Sequence, residues 1–207
     1  NTPDHHKHPM DSSGAQCVNC HMPETTYMQI DPRRDHRWHI PRPQLEQNIG
    51  SPDVCLSCHE NKDANWSISM NQAWFGKTTR EEYGFAPIFY AADIGYQDLG
   101  EQLSSIAQNY QYSNIIRASA LMRLEEHTGT NALIAIARSI KHEDSVIRLG
   151  AIYGARGLPA QQQWEAISLL LNDQVLAVRI EAASLLVRQW NSLTEPQKAK
   201  LTPALDE

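Results

Sequence analysis

The sequence predicts a mainly α protein made of two unlike halves: an irregular first half that needs a non-protein core, and a second half of repeated helix pairs. Three observations lead there. Residues 1 to about 95 are rich in proline, histidine and arginine and hold no sustained period of 3.6 or 2. That half also contains all four cysteines. From about residue 98 the chain becomes amphipathic and repeats every 31 residues. The expected domains are therefore 1–95 and 96–207.

The opening run NTPDHHKHPMDSSGAQ is polar and turn-rich, an arm carrying His5, His6 and His8. It resembles neither an export leader nor the start of a compact fold. CVNCH follows, with Cys17, Cys20 and His21, and CLSCH later supplies Cys55, Cys58 and His59. Each pair is separated by two residues and followed at once by histidine, with no cysteine left over. That pattern is read as c-type haem attachment, two haems per chain. The two sulfurs bond to the vinyl groups, and the adjacent histidine is aimed at the iron. Four thiolates would also suit a structural zinc ion, but zinc does not require a histidine after both pairs. A redox-active pair normally sits beside a βαβ pattern, which is absent here. Cysteines two apart rarely form a structural disulfide.

Between the motifs lies PRRDHRWHIPRP, stiffened by prolines at both ends. His36 is expected there as a distal ligand, with His39 the weaker candidate. One or two of His5, His6 and His8 are expected to ligate as well. Met10, Met22, Met28 and Met70 could offer thioethers, but Met22 follows the proximal histidine directly and cannot reach the distal face. Histidine on both faces of both irons is the better reading. Arg33, Arg34, Arg37 and Arg42 suit haem propionates, unless they form a solvated basic patch. Tyr27, Trp38, Trp66, Trp74, Phe75, Tyr83, Phe85, Phe89 and Tyr90 read as packing residues. KDANWSISMNQAWFG predicts a short helix ending near Gly76.

In the second half NIIRASALMRL, SVIRLGAIYGA and LAVRIEAASLL align. Ile116, Ile147 and Val178 share a register, each followed by arginine (Arg117, Arg148, Arg179), with Ala120, Ala151 and Ala182 after them. The second helices are NALIAIARSI, WEAISLLLND and a degenerate QKAKLTPALDE. Such paired helices predict a HEAT-like α-solenoid, in which alanines allow close approach and arginines reach groups at the inter-repeat turns. His127 and His142 are expected at solvated helix ends.

The formal charge is −6, and no basic stripe is present to meet phosphates, so nucleic acid is not an expected partner. No apolar run approaches the ~20 residues of a membrane span.

The runs HHKHP, GAQCVNCHMP, TYM, DPRRDH, IPRP and SPDVCLSCH resemble the C-terminal haem segment of multihaem cytochromes c, where a haem region precedes HEAT-like or tetratricopeptide helical repeats. The resemblance implies a periplasmic or otherwise exported electron-transfer protein with closely packed bis-histidine haems. Cys17, Cys20, His21, Cys55, Cys58 and His59 match its attachment motifs, and His36 matches the histidine of its Arg-Asp-His segment. His39 stands where the family usually has arginine, and Trp38 where it often has phenylalanine. Further CxxCH motifs usually lie upstream in that family. The chain is therefore expected to be a processed or partial piece, with some of His5, His6 and His8 serving haems elsewhere. Expected partners are other redox proteins or further haem-bearing chains, including a missing N-terminal multihaem part, and oligomerisation is compatible with the sequence. The leading functional expectation is an electron carrier with a helical-repeat docking module. Its rivals are a haem enzyme acting on a small nitrogen or sulfur compound at one open iron, and a solenoid scaffold with structural metal sites.

Overall fold

The computed structural model describes residues 2–76 and 84–206, so Tyr83 lies outside the described residues. The protein is mainly helical and divides into two compact units, Asn1–Glu81 and Glu82–Glu207. This division falls earlier than the boundary expected near residue 95. The reason is that Phe85, Ile88 and Phe89 pack against the core of the second unit, with Phe85 edge-on to Tyr112 at 5.7 Å.

The first unit opens with α1 (Pro3–His6), begun by a proline whose fixed φ suits the first helical position. A tight turn at Ser13–Ala15 leads into α2 (Cys17–His21), so the first cysteine motif is itself a single helical turn. Next come β1 (Glu24–Tyr27) and β2 (Asp31–Arg34), an antiparallel hairpin pairing Glu24 with Arg34 and Tyr27 with Asp31. The sequence gives no sign of this hairpin, because one buried face is what produces a two-residue period. Here the strand residues from Glu24 to Arg33 are all exposed. The Ile30 N–H donates to Tyr27 O at 3.2 Å, with Met28 at φ 50° and Gln29 at φ 65°. Two successive left-handed residues make a type I′ turn, which Asn-Gly fits far better. Replacing Met28→Asn together with Gln29→Gly is expected to stabilise the hairpin by about 1 kcal/mol. Slower hydrogen exchange of the β1 and β2 amides is the readout.

α3 (Pro43–Ile49) closes on Gly50 at φ 69°. α4 (Ala64–Phe75) is the helix expected after the second motif; Asp63 caps it by accepting from the Trp66 N–H at 2.9 Å, and it stops at Gly76. α3 packs on α4. Among the described residues of this unit only Ala15, Pro43 and Ser67 are buried. Met10, Tyr27, Met28, Ile30, Trp38, Ile40 and Phe75 are each more than half exposed. These elements hold no hydrophobic core of their own.

The second unit is the opposite case. It comprises α5 (Phe85–Asp93), α6 (Gly100–Gln108), α7 (Asn114–Arg123), α8 (Thr130–Ser139), α9 (Ser145–Gly154), α10 (Ala160–Ile167), α11 (Leu176–Leu186) and α12 (Glu195–Leu205). The three helices in the 31-residue register pack in succession, α7 on α9 and α9 on α11. α8 lies against α6 and α9, while α10 and α12 both contact α11. Leu103, Leu121, Ile136, Ile147, Ile152, Ile167, Val178, Leu186 and Leu201 form a continuous buried core, with Ala120, Ala151 and Ala182 wholly inside it. Glycines bring α9 closer still. A Cβ on Gly150 would stand 2.7 Å from the Ala118 carbonyl oxygen, and one on Gly154 would strike the Leu121 carbonyl.

The repeated arginines are used at the turns, as the alignment implies. Arg117 is buried and donates to Ala107 O at 3.0 Å and to Asn114 Oδ1 at 2.9 Å. Arg148 grips Asp173 with two bonds of 2.7 and 2.8 Å and donates to the carbonyls of His142 and Glu143. Arg179 donates to Asp173 O at 2.7 Å. His127 corrects the expectation: it is only 6% exposed, because its place after the turn following α7 folds it inward. His142 is half-buried and accepts from the Asp144 N–H at 3.0 Å. Among the described residues no helix is long and apolar enough to cross a membrane.

Candidate functional site

Both cysteine motifs fold as helical turns, so the first and fourth residues of each face the same way. In α2 this sets Cys17 beside a half-buried Cys20, with His21 at the end of the turn. In the second motif the N–H groups of Cys58 and His59 both donate to Cys55 O, at 3.3 and 3.0 Å. Asp53 anchors this turn. It accepts from the Cys55 N–H at 2.9 Å and from the Ser67 hydroxyl at 2.5 Å, and Ser67 is only 1% exposed in α4.

Burial acts on two of the four thiols. Burial raises the Cys20 pKa, helped by the neighbouring sulfurs of Cys58 and Cys17. Burial, then the Asp53 carboxylate, pushes Cys55 up to about 12. A thiol whose pKa is raised is a poorer nucleophile near neutral pH, and this applies to Cys20 and Cys55. Cys20 lies near enough to feel Cys55 and Cys58, so the two motifs adjoin. Among the described residues no three His, Cys, Asp or Glu side chains converge into a group that could hold a metal ion by themselves.

The histidines are arranged in a way that spacing alone does not reveal. His21 Nδ1 lies 2.7 Å from the His39 carbonyl oxygen, and the His39 N–H returns a 3.1 Å bond to His21 O. An Nδ1–H donating to a carbonyl leaves Nε2 with its lone pair free for a metal. The Trp38 ring lies nearly parallel to His21, 9° off at 4.8 Å, and fixes its plane. His8 is held alike, its Nδ1–H donating to His6 O, and its ring packs where a side chain on Gly14 would collide with it. Trp66 flanks His59 at 4.7 Å, and Trp74 meets His8 edge-on.

The rings then fall into two pairs. His5 and His21 stand 5.8 Å apart between ring centres, 15° from parallel. His8 and His59 stand 6.1 Å apart. With a metal–nitrogen bond of roughly 2 Å and a ring centre about 1 Å behind its nitrogen, two imidazoles sharing one ion stand ~6 Å apart. Each pair joins an arm histidine to the histidine of a cysteine motif, and the donor set fits a haem iron.

Three of the residues singled out from sequence are placed otherwise. His6 Nδ1 accepts from the His8 N–H at 3.2 Å, while its Nε2 is buried without a hydrogen-bond partner. His36 is exposed, and no ring contact sets it opposite another imidazole among the described residues. His39 serves through its backbone; burial lowers the pKa of its ring, against the pull of Asp35 3.9 Å away. The arginines meet protein groups. Arg34 donates to Val18 O at 3.3 Å, Met22 O at 3.1 Å and Asn19 Oδ1 at 3.0 Å, tying β2 to α2. Arg33 pairs with Asp31 at 2.7 Å. Arg37 pairs with Asp35 at 2.6 Å, and its hydrogen bonds hold that carboxyl at about 2.

Sequence reasoning missed Asp53, Ser67, Gly14 and the His39 carbonyl. Only Asp53 leaves a trace, as an Asp two residues before the motif where an Asx turn forms. Compared with known proteins, the chain matches no family model, no curated protein and no solved structure.

Proposed function

We propose that the protein is an electron carrier holding two c-type haems, one attached at Cys17 and Cys20, the other at Cys55 and Cys58. The observation that carries the reading is the pairing of His5 with His21 and of His8 with His59 at about the separation of two imidazoles on one metal. Haem iron, when bound, supplies reversible one-electron chemistry. The chain's own part is to hold it: His39 O and His6 O orient the ligating rings, and Trp38, Trp66 and Trp74 wall them. That Ala15 and Pro43 are the only buried apolar residues among the described residues of the first unit supports the same reading, since an irregular chain can pack on a flat apolar macrocycle.

On this reading the second unit is a HEAT-like solenoid that docks partners, supported by the successive packing of α7, α9 and α11 in one register. The partners are other redox proteins or further haem-bearing chains, exchanging single electrons with this one. Location outside the cytoplasm follows from where covalent haem attachment takes place.

Intact mass of the purified chain, beside oxidised and reduced visible spectra, tests the proposal. Two covalent haem increments with a wholly low-spin spectrum are expected. A bare or zinc-sized mass without a Soret band would leave a scaffold, and a partly high-spin spectrum would put an enzyme with one open iron first.

A further inference from the structure

We propose that His6 is not an iron ligand but the hydrogen-bond donor to a haem propionate, a role that rests on the two-haem reading above. Its Nδ1 is taken, accepting from the His8 N–H at 3.2 Å. In the neutral ring the proton therefore sits on Nε2. That Nε2 is buried, and no acceptor reaches it among the described residues. Buried polar groups are almost always paired, so an orphaned donor beside a binding site marks where a ligand's acceptor belongs.

The neighbours say which ligand group that is. The ring centres of His5 and His8 lie 5.8 and 6.1 Å from those of His21 and His59. His5 and His6 are consecutive residues of α1, so their side chains leave the helix about 100° apart and His6 cannot share the direction of His5. His6 is also locked by the ligand beside it: His8 donates its N–H to His6 Nδ1 and its own Nδ1–H to His6 O. A donor held so close to the ligating rings, yet aimed off their line, suits the anionic edge of a macrocycle. The arginines nearest in sequence are engaged elsewhere, Arg33 by Asp31, Arg37 by Asp35 and Arg34 by carbonyls of α2 and the residue after it. The chemistry recognised is a carboxylate, and the haem itself brings it.

The test compares His6→Ala and His6→Gln with His5→Ala and His8→Ala in the haem-loaded chain. Intact mass, spin state and spectroelectrochemical titration are the readouts. His6→Ala is expected to keep two covalent haems, stay low-spin and bind no CO. The midpoint potential of one haem should fall, because a propionate without its donor favours ferric iron. His6→Gln, which restores an N–H donor, should recover most of that shift. His5→Ala and His8→Ala should instead each produce high-spin iron. High-spin iron in His6→Ala would make His6 a ligand and overturn the proposal. Unchanged potentials in both His6 variants would overturn it too. A wild-type chain without covalent haem would remove the two-haem reading and this inference together, and is told apart by mass alone.

Discussion

Replacing Arg148 with alanine is expected to destabilise the second unit by about 3–5 kcal/mol, because one partner of a buried ion pair is left alone. Arg148 and Asp173 are 6% and 7% exposed, and the fork-to-fork bonds measure 2.7 and 2.8 Å. The same guanidinium satisfies the carbonyls of His142 and Glu143, so truncation orphans groups at two turns at once. A fall in melting temperature on the order of 10 °C or more should follow. Arg148→Lys should recover little, since an ammonium cannot span both carboxylate oxygens. The double variant Arg148→Met, Asp173→Asn should lose less than Arg148→Ala alone.

The pair also fixes a pH dependence. Burial alone would raise the Asp173 pKa, but the Arg148 hydrogen bonds, the Val175 N–H and the charges of Arg148 and Arg179 outweigh it, and the net shift is downward. A carboxyl whose folded-state pKa lies below its unfolded value contributes stability above the unfolded value, roughly pH 4. That contribution fades as pH falls through the lower folded-state value. Melting temperatures from pH 7 down to 3 should therefore decline less steeply in Arg148→Ala than in the wild type. A loss under about 1 kcal/mol at pH 7 would mean that the turn relaxes around the lone carboxylate.

Replacing His8 with alanine carries the largest functional effect expected. On the two-haem reading it should convert one of two irons from low-spin to high-spin and raise CO binding from none to about one per chain, because the His8 ring centre lies 6.1 Å from that of His59. His5→Ala should do the same at the iron served by His21. His36→Ala should leave the spectrum unchanged, as no ring contact sets that ring opposite another imidazole among the described residues. Gly14→Ala is a milder version of His8→Ala, since its methyl group would collide with the His8 ring. A high-spin signal in His36→Ala alone would reverse the pairing.

These outcomes bear on what was legible in the residues. The helices of the second half could be read because burial imprints a period, and a register of Ile or Val, then Arg-x-x-Ala, recurs three times. Gly150 and Gly154 were legible only as letters, because close backbone approach depends on the helix they face. The hairpin from Glu24 to Arg34 left no alternation, since both faces meet solvent. At the site the cysteine motifs are local in sequence and could be read directly. The proximity of the histidines is not local, so the stiffness of PRRDHRWHIPRP points to His36 while the fold brings the ring centres of His5 and His8 to 5.8 and 6.1 Å from those of the motif histidines. His127 was misjudged for a similar reason: helix-end position says little about which way the chain turns next.

On the two-haem reading, the scarcity of buried side chains among the described residues of the first unit has a consequence for biosynthesis. A polypeptide with so little apolar surface put away cannot hold a stable shape before its prosthetic groups arrive. The second unit, with its continuous core, can. Maturation then has an order: the repeat half folds first, while the cysteine motifs stay open to the attachment machinery. A newly made chain deprived of haem should accordingly lose its first eighty or so residues to brief protease treatment and keep a resistant fragment starting near Gly84.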